Sequence, residues 1–115
     1  MHLERFFVAG SLAALAGCAL GEIHATFGTS APVPVTIGCG AVVEAFENPA
    51  KRLVMVRSNA PAEVSGLTCF GSRQAMIRKA VETYFVDTKR PTCVAAEQTE
   101  LSPWHHQFSY TCPAG

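Results

Sequence analysis

The chain has 115 residues, and its nine Lys and Arg are balanced by nine Asp and Glu, for a formal net charge of zero. Apolar residues make up 49% and charged ones only 16%, which excludes a disordered polyelectrolyte and withholds the excess of bases on which nucleic-acid affinity leans. The length suits one small domain with a modest core.

Taken from the start, Phe6 to Leu15 (FFVAGSLAAL) form an apolar run behind the short head Met1-His2-Leu3-Glu4-Arg5. The run has the length of a signal-peptide core and falls well short of the roughly 20 apolar residues of a spanning helix. It ends on Leu15-Ala16-Gly17-Cys18. Two small residues suit a peptidase gripping extended backbone, and the cysteine behind them offers a thiol for alkylation. This tetrapeptide resembles the lipobox of bacterial lipoprotein signal peptides, and the resemblance covers residues 1 to about 21. It implies removal of residues 1–17, a diacylglycerol thioether on Cys18 and a membrane partner reached through that lipid. By the same analogy, Ala19 in place of Asp favours the outer membrane. An ordinary secretory signal cut after Gly21 or Ala25 is the alternative, and gives a freely secreted protein.

With Cys18 set aside, Cys39, Cys69, Cys93 and Cys112 remain, an even number expected to form two disulfides. No two of them stand in a Cys-x-x-Cys arrangement, so thioredoxin-like chemistry and zinc-ribbon ligation lose their usual spacing.

Residues 18–36 mix Ala, Gly, Thr, Ser and Pro and are expected to be a flexible linker, with an irregular edge segment packed on the domain as the alternative, leaving residues 37–115 as the folded domain. Pro32 and Pro34 favour extended backbone there. Ala41 to Phe46 and Arg52 to Arg57 flank the turn Asn48-Pro49-Ala50-Lys51 and predict a hairpin; a helix over 41–47 is the competing reading. Val42-Val43 and Val54-Met55-Val56 are apolar on both faces, which places these strands centrally or under cover on both sides. Asn59 to Ser65 reads as a loop and Gly66 to Phe70 as a short strand.

Ser72 is positioned to cap a helix from Arg73 to about Asp87. Met76, Ile77, Ala80, Val81, Tyr84 and Phe85 recur at steps of three and four, while Arg73, Gln74, Arg78, Lys79, Glu82 and Thr83 take the wet side. Thr88-Lys89-Arg90-Pro91 stops it. In the tail, His106, Phe108, Tyr110 and Cys112 alternate with His105, Gln107, Ser109 and Thr111, a strand whose partner is Thr92 to Gln98. A symmetric register of that hairpin brings Cys93 near Cys112 and leaves Cys39 to Cys69, although Cys39 or Cys69 with Cys112 would equally tie helix to strand. The expected architecture is α+β: a small antiparallel sheet of two hairpins, one amphipathic helix packed across it, and two disulfides.

Candidate chemistry is sparse. Adjacent strand residues such as His105 and His106 point to opposite faces and cannot readily share one metal ion. No serine sits in a Gly-x-Ser-x-Gly elbow, and Glu44, Glu47, Glu82, Asp87, Glu97 and Glu100 show no glycosidase-like pairing. The expectation is a non-enzyme without metal, cofactor or identified small-molecule substrate. The residues to watch for a protein partner in the cell envelope are the bases in and after the helix (Arg78, Lys79, Lys89, Arg90) and Trp104 beside Pro103 at a hairpin tip.

Overall fold

The computed structural model describes residues 20–113; Cys18 and the expected signal segment lie outside them. Residues 20–27 form a helix, α1. The strands β1 (Val33–Thr36), β2 (Val42–Asn48) and β3 (Leu53–Arg57) follow, then helices α2 (Ala60–Phe70) and α3 (Arg73–Asp87), then β4 (Val94–Ser102) and β5 (His105–Thr111). The five strands make one antiparallel sheet in the order β1-β2-β3-β5-β4.

Both expected hairpins are present, and β3 against β5 joins them edge to edge, with Val56 opposite His106 and Val54 opposite Phe108. β3 is thus the central strand. Val54 and Val56 are fully buried on one face, and Met55 is buried on the other, which explains why this strand does not alternate.

The main core lies between the sheet and α3. Met76, Ile77, Ala80, Val81, Tyr84 and Phe85, the six residues expected from spacing, are buried against Val35, Val43, Ala45, Val54, Val56, Phe108 and Tyr110. Ser72 caps the helix, accepting a hydrogen bond from the Ala75 amide at 3.1 Å.

The described part of the expected linker, residues 20–36, is not a simple tether. Val33–Thr36 is an edge strand in register with Val42–Ala45, and Val35 is fully buried. Upstream, Leu20, Ile23 and Phe27 recur at helical spacing along α1, which lies on the sheet face opposite α3; Phe27 is buried there and lines a cleft with Phe46 and Met55. Two contacts hold the end of α1 down: Asn48 Nδ2 donates to the Thr26 carbonyl at 2.8 Å, and Ser30 Oγ to the Glu47 carbonyl at 2.5 Å.

The segment read as a loop and strand over 59–70 is also corrected, because it is helix α2. Asn59 Oδ1 accepts from the Ala62 amide at 2.8 Å, Pro61 sits in the first turn, and Gly71 ends the helix in the left-handed region at φ 84°. Gly66 lets α2 approach α3: a Cβ there would lie 2.0 Å from Met76 Sδ.

Two disulfides close the body. Cys39–Cys69 ties the β1–β2 loop to the last turn of α2, and Cys93–Cys112 ties the start of β4 to the residue after β5. They span 30 and 19 residues, so loop-closure entropy alone assigns about 3 to 4 kcal/mol to each.

Candidate functional site

Two ends of the sheet can be told apart. The distal end carries the β2–β3 turn, the end of α3 and the Cys93–Cys112 bridge. The proximal end carries the start of β2, the end of β3, α2, and the Pro103-Trp104 turn between β4 and β5.

At the distal end α3 stops on Thr88, whose hydroxyl donates to the Tyr84 carbonyl at 2.8 Å. Lys89 takes a left-handed conformation (φ 64°), the chain reverses, and the Arg90 amide donates to the Phe85 carbonyl at 2.7 Å. This turn and the outer side of α3 enclose a groove of about 450 Å³ lined by Lys79, Glu82, Thr83, Val86, Pro91 and Cys93 over a floor of Phe85. Val86 is exposed, so the helix offers apolar contact beside one charge of each sign, Lys79 and Glu82.

The turn that follows α3 is held by Glu47, at the end of β2. Arg90 grips its carboxylate with both guanidinium nitrogens, Nη1 to Oε2 at 2.8 Å and Nη2 to Oε1 at 2.7 Å. The Tyr84 hydroxyl donates to Oε1 at 2.5 Å, and the Tyr110 hydroxyl donates to Oε2. The guanidinium carbon of Arg90 lies 5.6 Å from both the Tyr84 and Phe85 ring centres. The Arg90 hydrogen bonds overcome the cost of burial, and with help from the two tyrosines hold the Glu47 carboxyl down to about 2. Burial first, and the bond to Glu47 second, push the Tyr84 hydroxyl up to about 12; Tyr110 is raised for the same reasons, and Arg90 is held further in its charged form by Glu47.

A second polar group sits near the proximal end. His106 faces the α3 side and is buried, whereas His105 faces the α1 side, as adjacent strand residues must. Gln98 Nε2 lies 2.8 Å from His106 Nδ1. Burial lowers the affinity of both imidazoles for a proton, and Arg57 adds to this at His105. Nearby, Arg73 of α3 pairs with the buried Glu63 of α2, and the Ser58 hydroxyl is buried without a partner. Among the described residues, no three His, Cys, Asp or Glu side chains gather as a metal site.

The residues expected to bind a partner therefore divide. Arg90 is committed to Glu47. Arg78 donates from Nη2 to the Ala96 carbonyl at 3.0 Å and lies over the Phe108 ring at 5.3 Å, so it serves the packing of β4. Lys79 lines the distal groove, and Lys89 stands on the turn beside it. Trp104 belongs to the other end, where its carbonyl accepts from the Ser58 amide at 2.8 Å. The bases and Trp104 do not form one surface. Glu47, Tyr84 and Tyr110 were not marked as a set by the sequence, since they lie 37 and 63 positions apart and no local pattern links them.

No protein-family model, curated protein or solved structure matches the chain. Among the described residues, no helix is long and apolar enough to cross a membrane.

Proposed function

We infer that this chain is a small exported bacterial lipoprotein, anchored in the cell envelope through Cys18, whose disulfide-stabilised body binds a protein or another envelope component. One observation carries the reading. The other four cysteines close on one another in two bridges, so the odd one is Cys18, directly behind Leu15-Ala16-Gly17. Paired cysteines suit an oxidising compartment, and a lone thiol after a signal-like core suits acylation.

The freely secreted alternative fares less well against the fold. Cleavage after Gly21 or Ala25 would cut inside α1, and the later cut would remove Leu20 and Ile23 from the apolar stripe that ends at buried Phe27. Cleavage before Cys18 removes none of the described residues of α1. Outer-membrane placement follows from Ala19 by analogy alone. The binding surface best suited to an envelope partner is the distal groove between α3 and the turn that follows it, where Lys79 and Val86 line the opening and are not used by the core.

Intact-mass analysis of the mature protein tests the assignment. A chain beginning at Cys18 and carrying diacylglycerol is expected, and Cys18→Ser should accumulate as uncleaved precursor. An unmodified Cys18, or a mature start elsewhere, overturns it. For the groove, a photo-crosslinking residue at Val86 should give a discrete adduct in native envelopes that is lost with Lys79→Glu and Lys89→Glu.

A further inference from the structure

The proximal end of the body carries an unusual share of exposed apolar surface. Leu20, Val42, Val64, Leu67 and Trp104 are each at least 41% exposed. Their placement is fixed by separate contacts. Asn59, the cap of α2, donates from Nδ2 to the Val42 carbonyl at 2.9 Å, and the far end of α2 is bonded through Cys69 to Cys39 in the β1–β2 loop. Helix α2 therefore lies across this end, and its inward residues are Ala62, Glu63 and Gly66, which leaves Val64 and Leu67 facing away from α3. The Trp104 carbonyl is bound by Ser58, just after β3. Leu20, the first described residue of α1, lines a cleft with Arg57 and His105, and α1 runs along the sheet from there to the contact of Thr26 with Asn48.

Cys18 is two residues ahead of Leu20, a reach of at most about 7 Å even when fully extended. A lipid on that thiol brings headgroups against this end of the body and leaves no space for a protein between them. The geometry points to a membrane-seating surface: Leu20, Val42, Val64, Leu67 and Trp104 rest on the bilayer interface, and the distal groove at the end of α3 is held facing away from it. This inference rests on acylation of Cys18. The chemistry fits an interfacial contact, with an indole at headgroup level, aliphatic side chains around it, and the paired Arg57 and Glu44 at its margin.

Trp104 is the single tryptophan of the chain, so its fluorescence reports on this end directly. The full-length protein, processed and purified from bacterial envelopes, is placed in phosphatidylethanolamine–phosphatidylglycerol vesicles, with and without lipids brominated near the carbonyl end of the acyl chains. A control, Trp104→Phe with Lys51→Trp, moves the reporter to the exposed turn at the distal end. Seating predicts blue-shifted Trp104 emission, about twofold or greater quenching by the brominated lipid, and iodide quenching several-fold weaker than in the control. Acylated protein whose Trp104 is quenched by iodide as strongly as the control, and not by brominated lipid, overturns the seating and leaves the anchor standing. A blue shift without brominated-lipid quenching marks burial against a second copy and also overturns it. An unmodified Cys18 in the intact mass overturns the anchored reading itself, and the seating with it.

Discussion

Arg90 and Glu47, 43 positions apart, meet in a two-pronged ion pair that locks the end of α3 to the end of β2. The Glu47 side chain is mostly covered, 12% exposed, while that of Arg90 is 32% exposed. Replacing Arg90 leaves Glu47 covered with only the tyrosine hydroxyls as partners. Arg90→Met should therefore destabilise the fold by about 2 kcal/mol, between the yield of an exposed pair and that of a fully buried one. Urea unfolding at neutral pH measures this directly.

The same pair sets the acid limit of the fold. Glu47 titrates at about 2 in the folded chain against an ordinary value of 4.5, so the folded state binds fewer protons between those values. Its contribution is complete above pH 4.5 and drains away as pH falls toward 2. In Arg90→Met this acid step should shrink, bringing the variant and parent stability curves together at the lowest pH.

His106 and His105 produce an earlier step of the same sign. Burial lowers both below the ordinary 6.5, so the unfolded chain takes up protons first. Stability is complete above pH 6.5 and declines as pH drops below it. His106→Gln should flatten the decline without abolishing it, since His105 remains. Unfolding free energies followed between pH 7.5 and 5.5 decide the matter, within about 0.1 pH unit of control.

Gly66 is where two helices touch. Gly66→Ala sets a methyl against the Met76 thioether and should cost about 1 to 3 kcal/mol. Adding Met76→Ala removes the obstacle, so the double variant should be more stable than the sum of the two single losses requires.

Each disulfide should be recoverable as one pair of peptides, Cys39 with Cys69 and Cys93 with Cys112, after digestion without reductant. Replacing Cys93 and Cys112 together by Ser should lower stability by about 3 kcal/mol. Its local effect is fraying where β4 begins, seen as faster amide exchange at Val94 and Ala95.

What the sequence discloses follows from where each element puts its apolar residues. α3 was legible because Met76 through Phe85 form a continuous stripe that meets the sheet. β5 was legible because Phe108 and Tyr110 face the core and Gln107 and Ser109 do not. α2 was not, since its buried residues are Ala62, Glu63 and Gly66, two of them small and one charged, while Val64 and Leu67 point outward. Hydrophobic spacing then reports the wrong side. Asn59 and Pro61 were the available signal, as a helix cap and a first-turn proline, but the same pair also suits a loop. In α1 the stripe Leu20-Ile23-Phe27 was hidden by its Gly, Thr and Ala neighbours. The Glu47 cluster was illegible for a different reason: the pairing of Glu47 with Arg90 depends on the sheet bringing β2 beside the end of α3.

The strands at either side of the sheet are poor templates for further pairing. β1 has only four residues, one of them Pro34, and β4 slips register between Ala95 and Gln98 and again between Glu100 and Ser102. Copies confined to a plane collide far more often than copies in solution, and a straight, unbroken margin would invite them to polymerise strand upon strand. If the proposed anchor gathers copies on one membrane, a short margin with a missing donor and a kinked one opposite it would disfavour such pairing.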